Sequence, residues 1–139
     1  MLYCIELTVP PNTPKNEAVT KRITIEKPVI KRVSIYFPPG VACLTKVAIF
    51  FGEQQIFPST QGEWVTGHAE SIVDEPNIVV QDVPNQIIIK GYNIDTQYSH
   101  TIYIRISTDD IYSVYWYRTL YELVYSLRDF VSFMSMGVL

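Results

Sequence analysis

The sequence predicts an all-β body, an antiparallel β-sandwich of jelly-roll-like kind, followed by one long C-terminal α-helix. Three observations carry this. Apolar and polar residues alternate from Tyr3 to Ile106 with the two-residue period of half-buried strands; prolines and glycines sit at the breaks; and near Thr108 the period changes to helical spacing. No stretch between the strands is long and helical enough for a parallel crossover, so neighbouring strands are expected to run antiparallel. The division falls at 1–108 for the sandwich domain and 109–139 for an amphipathic helix.

The elements follow in order. Tyr3, Ile5, Leu7 and Val9 alternate with Glu6 and Thr8, and Pro10, Pro11 and Pro14 end that strand by removing backbone donors. Val19, Lys21, Ile23 and Ile25 make a second strand, and Val29 to Phe37 a third after the break at Lys27-Pro28. Phe37-Pro38-Pro39-Gly40 is a tight turn, because proline presets φ and glycine accepts a positive one. Lys46 to Phe51, KVAIFF, reads as a strand buried on both faces. A short turn leads to Gln55-Ile56-Phe57, and Pro58 to Gly67 is the longest irregular stretch. Glu70 to Val73, Asn77 to Val80, Gln86 to Tyr92 and Tyr98 to Ile106 complete a set of about eight short strands.

Asp109-Asp110 is suited to cap and charge a helix start. From about Tyr112 to Met134, the side chains Tyr117, Leu120, Val124, Leu127, Val131 and Met134 step by three and four, and Trp116, Leu123 and Phe130 widen the stripe. The stripe is broader than a surface helix on a self-sufficient sandwich requires. These six positions are therefore the expected oligomerisation residues, and a second copy of the chain the expected partner. Packing of the helix on its own sandwich and an in-plane membrane contact are the alternatives. Spanning is disfavoured because Arg118, Glu122, Arg128 and Asp129 interrupt the apolar run.

Composition narrows the function classes. At 139 residues the chain is long enough for one core without metal or disulfide staples. Eleven Lys and Arg against 14 Asp and Glu leave a charge of −3, with no basic field to draw nucleic acid by counterion release. The basic run Lys21, Arg22, Lys27, Lys31 and Arg32 is expected to scatter over exposed strand faces. The first ten residues lack the basic and apolar regions of a signal peptide, so synthesis in the cytoplasm is expected. Two cysteines, Cys4 and Cys43, fit no zinc spacing; buried free thiols are expected, a single bridge being the alternative.

No motif of catalysis is present: no phosphate loop, no HExxH and no nucleophile elbow. A non-enzyme is expected, with no cofactor and no metal. His68, Glu70 and Asp74 are the nearest approach to a ligand cluster, in a polar loop where such groupings arise by chance. His100, on the apolar side of its strand, reads as a hydrogen-bonded core histidine. The irregular stretch from Pro58 to Gly67 offers Trp64, with Glu63 and Phe57, as partner contacts. The alternatives for Trp64 are a sugar-stacking platform or a cover over one end of the sandwich.

The runs KPVIKRVSIYFPPGVACLTKVAIFFGEQQIFPSTQGEWVTG and IIIKGYNIDTQYSHTIYIRIS resemble small β-sandwich proteins encoded among the head or virion genes of tailed phages and related viruses. The resemblance covers about Val19 to Ser107 and rests on Phe-Pro-Pro-Gly, Ile-Phe-Pro-Ser and the Gly-Tyr-Asn turn. It implies a structural, capsid-associated protein in the virion, made in the host cytoplasm and contacting other particle proteins. The helix beyond Asp110 lies outside it. A ligand- or carbohydrate-binding sandwich is the alternative function.

Overall fold

The structure, a computed structural model, describes residues 1–80 and 85–137, with side chains described for 1–80, 85–111 and 119–136. In chain order the strands are β1 (Leu2–Val9), β2 (Val19–Thr24), β3 (Val29–Phe37), β4 (Thr45–Phe51), β5 (Gln54–Phe57), β6 (Val65–Thr66), β7 (Glu70–Asp74), β8 (Ile78–Val79), β9 (Gln86–Asn93) and β10 (His100–Asp109). The helix α1 spans Tyr112–Gly137.

Two antiparallel sheets face each other. The first runs β1-β10-β3-β7, with β8 also on β3; the second runs β2-β9-β4-β5, with β6 also on β4. The core follows from alternation. Ile5, Ile104 and Ile35 are aligned across three strands of the first sheet, and Val47 and Ile49 oppose Gly91 and Ile89 in the second. These residues interdigitate with Leu7, Phe37, Ile87, Ile102 and Ile106, all buried. Gly91 marks a close approach of the sheets: a Cβ there would lie 2.7 Å from Leu7 Cδ2 and 3.1 Å from Val9 Cγ2. In the Pro-Pro-Gly turn, Gly40 has φ +96°, a conformation that disfavours a side chain.

Several expectations shift. The last strand continues past Ile106 to Asp109, which pairs with Val29, while the Asp109 carboxylate accepts from the Asp110 amide and Asp110 reaches Lys27 at 3.8 Å. The stretch from Pro58 to Gly67 contains the two-residue strand β6. In KVAIFF, Val47, Ala48 and Ile49 are buried, whereas Phe50 and Phe51 are half-buried at the strand's end.

The cysteines correct the reading most plainly. Both are free thiols, and both are exposed rather than buried. Cys4 falls on the outward set Leu2, Cys4, Glu6 and Thr8 of β1. Cys43 sits in a turn at φ +60°, its amide bonded to the Gly67 carbonyl.

The basic run also divides. Lys21 closes the gap between sheets by donating to the Glu6 carbonyl at 2.9 Å, Arg22 and Arg32 are exposed on β2 and β3, and Lys27 faces Asp110.

Candidate functional site

The loop after β5 is built around one buried amide. Gln55 is 5% exposed, and its Nε2 is shared among the carbonyls of Pro58 (2.9 Å), Thr60 (3.1 Å) and Glu63 (2.8 Å). Its Oε1 accepts from the Gly62 amide, and Gln61 Nε2 donates to the Gln55 carbonyl at 2.9 Å. A buried amide must be satisfied, so the chain from Pro58 to Glu63 is held in place by the partners it supplies. This wrapping delivers Trp64 to the outer side of the second sheet.

There Trp64 meets Tyr92 of β9 at 5.0 Å between ring centroids and Phe50 of β4 at 5.9 Å, both edge-on. Lys15 lies 5.5 Å over the indole and donates to the Gly62 carbonyl at 2.9 Å, and Lys90 lies 5.0 Å over the Phe50 ring. The result is a half-buried aromatic cluster with two cations over its rings. Of the residues singled out in this loop, Trp64 lies in the cluster and Glu63 is exposed beside it. Phe57 is corrected: it is 4% exposed and belongs to the core, because it pairs with Ile49 on the inward side of β5. Gln55 escaped the sequence reading, since nothing marks one glutamine of Gln54-Gln55 as buried before the loop is closed over it.

His68 serves the loops rather than gathering with acids. Its Nδ1 accepts from the Ala42 amide at 3.1 Å, while Glu70 accepts from the His68 amide. Glu70 and Asp74 stand at opposite ends of β7. Among the described residues no group of three or more His, Cys, Asp or Glu is placed to hold a metal ion.

His100 is half-buried, as a hydrogen-bonded histidine, with Nε2 2.8 Å from Asp95 Oδ2. Asp95 Oδ1 accepts from the amides of Gln97 and Tyr98, and the Gln97 bond, followed by that of His100, holds the carboxyl below its ordinary range. Buried Asn93 ties this turn to the sandwich by donating to the Val9 and Tyr98 carbonyls.

The second candidate surface is α1. Every residue from 119 to 136 is exposed. Leu120 (49%), Val124, Leu127, Val131 and Met134 present the predicted stripe to the outside, and so do Leu123, Phe130 and Phe133 (73%). Tyr117 lies outside the described side chains. The rings of Tyr121 and Tyr125 meet one turn apart, 4.6 Å between centroids and tilted by 52°. No helix among the described residues is long and apolar enough to cross a membrane.

No family model matches the chain, and no curated protein matches it.

Proposed function

We propose that the chain is a structural protein of a virus particle, a homo-oligomer joined through α1 that holds its sandwich outward for contact with other particle proteins. The observation that carries this is the exposure of the whole described helix with its apolar stripe. Each Leu, Val, Phe or Met left in water forgoes roughly 1.5–3 kcal/mol relative to burial, so the stripe demands a cover. Leu120, Leu127 and Met134 recur every seven residues with Val124 and Val131 between them, the pattern that covers itself by pairing with copies. A membrane surface fits less well. Arg118 and Arg128 are balanced by Glu122 and Asp129, which leaves no basic face for anionic lipid.

The jelly-roll reading of the body belongs to the same proposal. With β5 and β6, and likewise β7 and β8, taken as interrupted strands, the chain passes back and forth between β1-β10-β3-β7 and β2-β9-β4-β5 at every step but the β4–β5 hairpin, which stays in the second sheet. Capsid and lectin domains share such architecture, so it is compatible with a particle role without specifying one. The virion assignment itself is supported by the resemblance over Val19 to Ser107.

The test replaces Leu120, Val124 and Leu127 together by Ser, Thr and Gln and measures mass by light scattering, with circular dichroism to verify the strand content. The expected result is an oligomer that becomes a folded monomer. An unchanged oligomer, or a wild type already monomeric without lipid, overturns the helix as the assembly element.

A further inference from the structure

The outer face of the first sheet has a chemistry of its own, independent of α1. Arg105 of β10 lies opposite Ser34 of β3, and Arg32 lies opposite Ser107, so two arginines stand as diagonal neighbours on one face. Like charges at this spacing repel. Yet among the described residues the ion pairs are Lys27–Asp110 and His100–Asp95, and neither arginine has an ionic or hydrogen-bonding partner. Glu6, on the same side and opposite Tyr103, pairs with neither.

The surroundings of Arg105 are open and rich in hydroxyls. It borders three shallow hollows of about 260, 220 and 420 Å³, the first shared with Arg32, Ser34 and Ser107, the second with Tyr36 and Ser71. Tyr36 and Tyr103 pair across the strands at 6.3 Å, each 39% exposed. The sheet fixes the spacing and facing of these residues at the backbone, so their order along the face is set before any ligand arrives.

We propose that this face docks an acidic polypeptide segment of another chain, with its carboxylates set against Arg105 and Arg32. Charge complementarity selects the anion, because a guanidinium fork takes a carboxylate through two parallel hydrogen bonds. The rest of the face selects the polypeptide. Tyrosine and arginine are enriched at protein–protein interfaces, and tyrosine beside serine is the composition of antibody paratopes. Leu2 and Val73, exposed on β1 and β7 to either side, offer aliphatic contact that peptide side chains cover and a sulfated saccharide does not. Two arginines also neutralise too few phosphates to hold nucleic acid.

The experiment uses the full chain and a fluorescein-labelled peptide of alternating Glu and Leu, with the Gln–Leu counterpart and a sulfated heparin hexasaccharide as the other probes. Anisotropy is read for wild type, Arg105→Glu, Arg32→Gln and the polar helix variant, each checked for folding by circular dichroism. The Glu peptide is expected to bind. Either arginine substitution, or exchange of Glu for Gln in the peptide, weakens it roughly tenfold or more, the loss typical of a charge-assisted bond. The helix variant retains binding. No binding, equal binding of the Gln peptide, indifference to both arginine substitutions, loss in the helix variant, or capture of the hexasaccharide in place of the peptide each overturns the proposal.

Discussion

The sandwich and the helix draw on the same apolar residues and place them oppositely. In the sandwich, every second side chain of β1, β9 and β10 turns inward to a facing sheet, and Leu7, Ile89 and Ile104 lose all but a trace of solvent contact. In α1, Leu120, Leu127 and Phe130 are about half exposed or more, although nothing in their chemistry differs from that of the core. Hydrophobic residues are therefore an incomplete guide to stability in this chain. What matters is whether the element that carries them has an apolar surface facing it within the same molecule.

The largest expected contrast is between equivalent truncations in the two regions. Phe37→Ala, at a fully buried position, should cost about 3–5 kcal/mol in urea unfolding of the body. Leu127→Ala should leave that transition within about 0.5 kcal/mol and instead weaken self-association, read as a rise in the concentration at which mass falls. Equal destabilisation of the body by both would erase the distinction.

A smaller effect tests the close approach of the sheets. Gly91→Ala must push Leu7 and Val9 away, and overpacking of this kind costs about 1–3 kcal/mol. Gln55→Ala should cost a comparable or smaller amount, about 1–3 kcal/mol, because the carbonyls of Pro58, Thr60 and Glu63 lose their shared donor. Its clearer mark is faster amide hydrogen exchange confined to the loop and increased solvent quenching of Trp64, with the core amides unchanged. Uniform loosening of the core would mean that Gln55 does more than hold its loop.

The smallest effect is one of pH. Asp95 is held below its usual value of 3.8, first by the Gln97 amide and then by His100. A carboxyl with a depressed folded pKa contributes stability above its unfolded pKa and loses it as pH falls through the folded one. The urea midpoint should decline below about pH 4, and Asp95→Asn should flatten the part of that decline due to this group. A variant with the same acid slope as the wild type would remove Asp95 from the account.

Periodicity made most of the body legible. The odd residues of β1, Val33 to Phe37 of β3 and Ile102 to Ile106 of β10 lie where the pattern puts them, because a pleated strand between core and water leaves little freedom in which side chain faces which way. Tyr98 instead precedes β10 and is exposed, and beside the register shift at Ser107/Thr108 both Val29 and Ile30 are buried. The misreadings have local causes. Phe57 and Cys43 flank or occupy turns, where alternation does not set side-chain direction. The apolar run around Phe50 reads as buried on both faces, whereas Phe50 is half-buried and its outer side is met by Trp64 from a loop with no periodic signal.

The sequence by itself determined the sandwich, the antiparallel pairing, the helix and its apolar stripe, since each is encoded in a local period and its interruptions. Only the tertiary structure decided the strand order, the buried role of Gln55, the pairing of Asp95 with His100 and the gathering of Arg32, Arg105, Tyr36 and Tyr103 on one face. Those facts depend on which distant strands become neighbours. Many pairings satisfy the same alternation, and the choice among them is made by how two whole sheets pack.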